Sequence, residues 1–113
     1  MREMLDEKLN RYTELEQQMS DPAVQSDPNK MAAVAREHGS LAKLATKYKR
    51  FRTVLDELEE LREMANSGDA DEKEMADAEI VTMTEEREKI WEELLDMTAV
   101  SYTHLTLPTI YSV

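Results

Sequence analysis

Apolar residues recur along this chain at helical spacing, and the longest such run lies between Met31 and Ala65. From Leu41 the positions Leu41, Leu44, Tyr48, Phe51, Leu55, Leu58, Arg62 and Ala65 follow in steps of 3, 4, 3, 4, 3, 4 and 3. All but Arg62 are apolar or aromatic. Such a heptad seam forms one stripe on a helix and must be covered by other helices. The pattern predicts a helix from Pro28 to Ala65, free of Gly and Pro after Gly39, about 57 Å long at about 1.5 Å per residue. The rest of the chain reads as a partner for this helix, a hinge beside it, or an appendage.

A shorter amphipathic helix precedes it. Met1, Leu5, Leu9, Tyr12, Leu15 and Met19 recur in steps of 4, 4, 3, 3 and 4, a helical period. Ser20-Asp21-Pro22 stops that helix, because Pro22 turns Asp21 away from helical angles. Asp27-Pro28 then has the form of an N-cap followed by proline at the first helical position. The connection, about eight residues, suits an antiparallel pair. Asn66-Ser67-Gly68 ends the long helix, with Gly68 expected in a left-handed cap. Asp69 followed by Glu72 fits a capping-box variant opening a third helix that runs to about Met97. Its stripe is Ala76, Ile80, Met83, Arg87, Ile90, Leu94 and Met97. Arg87 interrupts it, but an arginine stem can lie on apolar surface with its head in water. Trp91 flanks the stripe and is expected to cover one end of the core.

Charge bears on the pairing. Between His38 and Leu55 the charged residues are Lys43, Lys47, Lys49, Arg50 and Arg52, all basic. A chain folding back at Gly68 brings together residues whose numbers sum to about 136, which sets this run against Glu85, Glu86, Glu88, Glu92 and Glu93. Exposed pairs of this kind are worth about 0–1 kcal/mol each, so they select register more than they hold the fold. The first helix, turning near Val24, is expected to put Leu15 opposite Val34 and Leu5 near Leu44. The predicted fold is therefore all-α: an antiparallel three-helix bundle with a long two-helix coiled-coil finger, from about Arg52 to Thr84. Residues 1–98 form the domain, and 99–113 form an unstructured or non-native tail. After Asp96 no Asp, Glu, Lys or Arg occurs, and Val100–Val113 is β-branched, hydroxyl-rich and strand-like, without a strand partner elsewhere. That break in composition reads either as a linker entering a further domain or, the favoured reading, as foreign sequence fused to a truncated reading frame.

Composition narrows the classes. A chain of 113 residues is one domain at most. With 41% hydrophobic and 35% charged residues but two Gly and three Pro, it is biased towards long helices. It has no cysteine, which removes disulfides and thiolate metal sites and is compatible with a reducing cytoplasm. No apolar run approaches the length of a bilayer span, and the opening Met1-Arg2-Glu3-Met4 lacks a signal-type core. A net charge of −11 argues against non-specific nucleic-acid binding by the chain as a whole.

No catalytic or metal site emerges. His38 and His104 are far apart, and no HExxH motif is present. Glu37 and His38 are adjacent, so on a helix they point apart; a satisfied or exposed histidine is the expectation. Asp69 and Asp71 superficially open a calcium loop, but its sixth position would be Glu74 and its twelfth Ile80, so they read as helix-capping acids. Neither glycine belongs to a phosphate-cradling loop. No apolar pocket can be inferred to shift a carboxyl pKa, so acid–base catalysis has no support. Two surfaces are candidates for binding. Lys43, Lys47, Lys49, Arg50 and Arg52 are either a solvated face paired with the third helix or a contact for RNA phosphate or an acidic protein. Leu61, Met64 and Met75 at the finger tip are either ordinary hairpin packing or a docking knob, since methionine adapts to varied surfaces.

The stretches Arg11-Tyr12-Thr13-Glu14-Leu15-Glu16, Ser20-Asp21-Pro22-Ala23-Val24 and Arg36-Glu37-His38-Gly39-Ser40-Leu41 resemble the opening of the bacterial-type peptide chain release factor 1 family. Lys73-Glu74-Met75-Ala76 and Glu79-Ile80 resemble that family's third-helix pattern, so the likeness covers about residues 5 to 97. The Ser-Asp-Pro turn brings the chain closer to type 1 than to type 2. The resemblance implies a role in translation termination: stop-codon-dependent hydrolysis of peptidyl-tRNA on the ribosome, at UAA or UAG for type 1. The family's hydrolytic Gly-Gly-Gln and codon-reading Pro-x-Thr loops have no counterpart here; the two glycines are isolated, and Pro108-Thr109 is an adjacent pair in the tail. The resemblance therefore implies the non-catalytic N-terminal helical domain, near the factor-binding stalk of the large subunit. It implies no cofactor, metal, membrane or small-molecule substrate, and no catalytic residue is carried over. The expectation is a monomeric, cytoplasmic, ribosome-associated fragment. The alternative is a self-associating coiled-coil adaptor whose seams pair between chains.

Overall fold

The computed structural model describes the backbone of residues 1–112 and the side chains of residues 1–98. It is all-α, with no strand among the described residues. Four helices follow in order: α1 (Arg2–Met19), α2 (Pro22–Gln25), α3 (Pro28–Ser67) and α4 (Ala70–Ser112). The chain divides into two compact units, Met1–Lys49 and Arg50–Val113.

In the first unit, α1 packs against the opening half of α3. Leu15, Val24 and Val34 form a buried cluster, with Met19, Met31 and Leu41 packed against it. Leu15 thus meets Val34, the register the hydrophobic spacing predicts. Val24 reaches the cluster from α2, a single turn the sequence pattern does not foretell. Two acids build that connection. Asp21 caps α2 by accepting from the Ala23 N–H at 2.9 Å, with Pro22 next in line. Asp27 accepts from the Asn29 and Lys30 N–H groups, both at 3.2 Å, at the start of α3. Each cap satisfies donors that a helix start leaves without an internal partner.

In the second unit, the end of α3 turns back into α4. Asp69 accepts from the Glu72 N–H at 2.9 Å and caps α4 as expected. Gly68 acts differently from the expectation. No glycine among the described residues has a positive φ, so the turn uses no left-handed cap. Gly68 donates its N–H to the Met64 carbonyl at 2.9 Å. A Cβ there would lie 2.5 Å from Glu72 Oε2, 2.7 Å from Met64 O and 2.8 Å from Glu72 Cβ. The turn needs glycine because two helix ends approach closely, not because of its handedness.

The apolar stripe of α3 also departs from the expected seam. Tyr48, Phe51 and Leu58 are buried, as are Val54 and Leu61, whereas Leu55 is half-buried and Arg62 exposed. Burying a guanidinium is costly, and Leu61 offers an apolar surface one position earlier. The buried stripe therefore passes through Val54 and Leu61 instead of Leu55 and Arg62. On α4 the expected stripe is present: Ala76, Ile90 and Leu94 are buried, and Ile80, Met83, Arg87 and Met97 half-buried.

Both long helices outrun their expected ends. α3 continues two residues beyond Ala65. The backbone of α4 is helical to Ser112, not to about Met97, and no Gly, Asn or Pro stands between Met97 and Pro108 to stop it. The strand-like reading of the stretch from Val100 does not hold for that backbone. The expected boundary at residue 98, and a non-native tail beyond it, fall on side chains outside the described residues.

Candidate functional site

The five basic residues Lys43, Lys47, Lys49, Arg50 and Arg52 all lie on α3. At about 100° per residue, Lys43, Lys47 and Arg50 share one side of a helix, and Lys49 and Arg52 fall on the other. The run is therefore two faces and not one patch.

Each member can be placed. Lys43, Lys49, Arg50 and Arg52 are exposed and Lys47 is half-buried. Arg50 is engaged within its own unit. Its Nη2 donates to both Glu86 oxygens, at 2.9 and 2.7 Å, and its Nε donates to Glu86 Oε2 at 3.1 Å. Glu57 lies 3.9 Å away on its other side. The hydrogen bonds to Glu86 hold the Arg50 guanidinium above its ordinary pKa. Arg50 and Glu86 are the pairing that the charge pattern selects. Lys49 places its Nζ 5.6 Å from the Tyr12 ring centroid, a cation–π distance. None of Lys47, Lys49 and Arg52 is without a partner within the chain.

The first unit carries a second group of contacts. Arg11 Nε and Nη2 donate to the two Glu37 oxygens at 2.7 and 2.8 Å, a bidentate pair linking α1 to α3. The Arg11 guanidinium holds the Glu37 carboxyl below the usual carboxylate range, and Glu37 in turn raises Arg11. One residue along on each helix, the Tyr12 and His38 rings stack with centroids 4.3 Å apart and planes 16° apart. His38 is half-buried, and among the described residues its buried Nε2 has no hydrogen-bond partner, so that nitrogen is not satisfied as expected. Nearer the start of α1, the Tyr48 hydroxyl donates to Asp6 Oδ1 at 2.5 Å. Burial, then this bond, push the Tyr48 phenol above its ordinary pKa. These pairs escaped the sequence reading, yet their signal was present. Once Leu15 faces Val34, Arg11 must lie near Glu37 and Tyr12 near His38.

The second unit has Phe51 and Trp91 in contact, centroids 5.2 Å apart, so Trp91 covers the apolar stripe as its position suggests. Of the expected tip residues, Leu61 is buried, while Met64 is 45% and Met75 66% exposed. Ordinary packing accounts for Leu61 only. No group of three or more potential metal ligands occurs among the described residues. Nor is any described helix long and apolar enough to cross a membrane.

Residues 8–103 match the PCRF domain family. The chain belongs to that family. A protein of Pelobacter propionicus named peptide chain release factor 1 is 40% identical over 94 residues, covering 83% of this chain and 26% of the relative. Its namesake in Clostridium novyi is 40% identical over 86 residues, 75% of this chain and 24% of the relative. That of Geobacter sulfurreducens is 35% identical over 94 residues, 83% and 26% respectively. The PCRF chain thus spans about a quarter of the length of the curated relatives it matches. No solved structure matches it.

Proposed function

We propose that this PCRF chain is the N-terminal helical part of a type 1 peptide chain release factor, acting in translation termination on the ribosome in the cytoplasm. The observation that carries the reading is the family match over residues 8–103, joined to relatives that all bear the release factor 1 name. In this role the domain has no catalytic chemistry of its own. It positions the rest of a factor whose other parts read the stop codon and hydrolyse peptidyl-tRNA. Its neighbour is the stalk region of the large subunit. Of the basic run on α3, Lys43 is the residue best placed to meet ribosomal phosphate: it is exposed, whereas Arg50 is held by Glu86 and Lys47, Lys49 and Arg52 have partners within the chain.

The test is a chimera. Residues 5–97 replace the corresponding segment of a release factor 1, and codon-dependent peptide release is measured on programmed ribosomes. Retained release at UAA and UAG supports the reading; a folded chimera that releases nothing sinks it. The 113-residue chain alone is expected to release no peptide. Reversing Lys43 to Glu in the chimera is expected to weaken ribosome association, and unchanged association removes the phosphate-contact role.

The adaptor alternative makes a different demand. It requires the seams to pair between chains, whereas Arg50–Glu86 and Arg11–Glu37 are satisfied within one. A molar mass by light scattering that stays at 13.1 kDa across concentration supports the single-chain reading.

A further inference from the structure

The hairpin end of the second unit carries a groove between α3 and α4 that the proposed role in termination leaves unused. Leu61, Met64 and Met83 line it, and Glu57, Glu60 and Glu79 edge it, around a space of about 190 Å³. Met64 is 45% exposed there. Met75, one turn before Glu79 on the same side of α4, is also exposed. Glu60 and Glu79 make no ion pair among the described residues. The charge around the groove is lopsided. Residues 53–84 hold eleven carboxylates against Arg62 and Lys73 alone, so this segment supplies nearly all of the chain's net −11.

We infer that this groove docks a basic amphipathic helix of a partner protein: an apolar anchor enters between Leu61, Met64 and Met83 while flanking Lys or Arg meet Glu57, Glu60 and Glu79. The charge selects the occupant. Nucleic acid would bring phosphate against a carboxylate field. An acidic or neutral helix would leave two rim carboxylates without counter-charge, whereas a basic one is steered to the site and oriented on it. Methionine suits the floor, because an unbranched thioether repacks around different anchors. Laying an apolar helix face into a groove is a recurrent mode of peptide recognition.

The inference stands apart from the role in termination, because it is decided with a peptide and no ribosome. The probe is a fluorescein-labelled 14-residue peptide of Lys with Leu at heptad a and d positions, titrated with the full 113-residue chain and read by anisotropy. Saturable binding is expected. Replacing the leucines of the peptide by Gln should weaken it at least tenfold, as should Glu60→Lys with Glu79→Lys in the protein. Methyl spectra should show the peptide shifting Met64 and Met83 but not Met19 and Met31, a readout that holds even if a variant misfolds. The inference is overturned if the Leu/Lys peptide fails to saturate, if the Gln/Lys peptide binds equally, or if the folded double variant binds like the parent. It is equally overturned if the methionine shifts are absent, or if sedimentation shows the groove occupied by a second copy of the chain.

Discussion

Placing alanine at Gly68 tests whether the α3–α4 turn depends on close approach or on handedness. The new Cβ would sit 2.5 Å from Glu72 Oε2, 2.7 Å from Met64 O and 2.8 Å from Glu72 Cβ. The carboxylate oxygen can swing away at little cost. The other two atoms cannot, because one is backbone and the other is fixed to the first turn of α4. Relief therefore opens the turn and weakens the Gly68 N–H to Met64 O bond, the Asp69 cap on Glu72, or both. Each is worth about 1 kcal/mol, and the loss of unfolded-chain freedom on going from Gly to Ala returns about 0.4–1 kcal/mol. With both weakened and that return subtracted, Gly68→Ala should destabilise by about 1–1.6 kcal/mol, a fall in Tm of about 4–7 °C for a domain near this size. The assay is thermal unfolding by circular dichroism, with hydrogen exchange at the start of α4 to localise the loss. Asn separates the two explanations. A left-handed site accepts Asn more readily than Ala, whereas here Asn carries the same Cβ into the same atoms and should cost as much as Ala. A neutral Gly68→Ala, or Asn ranking with Gly, would refute the close-approach argument.

Gly39→Ala should act in the opposite direction, raising stability by about 0.5–1 kcal/mol in the same melts, since Gly39 is helical and nothing lies within 4 Å of its added Cβ. Leu58→Ala should cost about 2–5 kcal/mol in urea unfolding, while Arg62→Ala, at an exposed position, should stay within about 0.5 kcal/mol; equal costs would restore the seam through Arg62. His38→Phe keeps the stack on Tyr12 and removes a buried nitrogen without a partner. It should be neutral or stabilising by about 1 kcal/mol, and a clear loss of stability would mean that Nε2 has a partner. For pH, Glu37 is held below its ordinary value of 4.5, so its contribution is complete above that value and is lost as pH falls through the lower folded value. Tyr48 is raised above its ordinary value of 10, so its contribution is complete below pH 10 and is lost as pH rises through the folded value. Arg11→Met should flatten the acid limb of the stability profile, and Tyr48→Phe the alkaline limb.

The three long helices, the register of α1 on α3, the acid caps and the Arg50–Glu86 pairing were all legible in the sequence. Each rests on spacing or charge, which a chain displays openly. The departures occur where two patterns competed. A strict heptad count from Leu41 runs into Arg62, while the fold buries Val54 and Leu61, because desolvating the guanidinium outweighs perfect periodicity. Asn-Ser-Gly reads as a left-handed stop, but the tight approach of Met64 and Glu72 depends on the partner helix and leaves no local mark. The one-turn α2 arises because both Asp21 and Asp27 cap with proline following, which the sequence reading treated as a single connection. Of the candidate surface, the basic identity is legible in the run itself, whereas its division into two faces follows from the helical period. The acidic groove was visible only as exposed methionines, since its floor forms when α4 returns along α3.

The most direct test of the folded-back hairpin exploits the lack of cysteine in the chain. Arg50→Cys with Glu86→Cys puts two thiols where the guanidinium and carboxylate now meet, and a short bifunctional thiol reagent should join them within one chain at any dilution. The pair Arg50→Cys with Glu79→Cys, two turns out of register, should remain unjoined within the chain. Efficient closure of the first pair in monomers is the predicted result. Cross-links that form only between chains, or that favour position 79 over 86, would contradict the antiparallel single-chain hairpin.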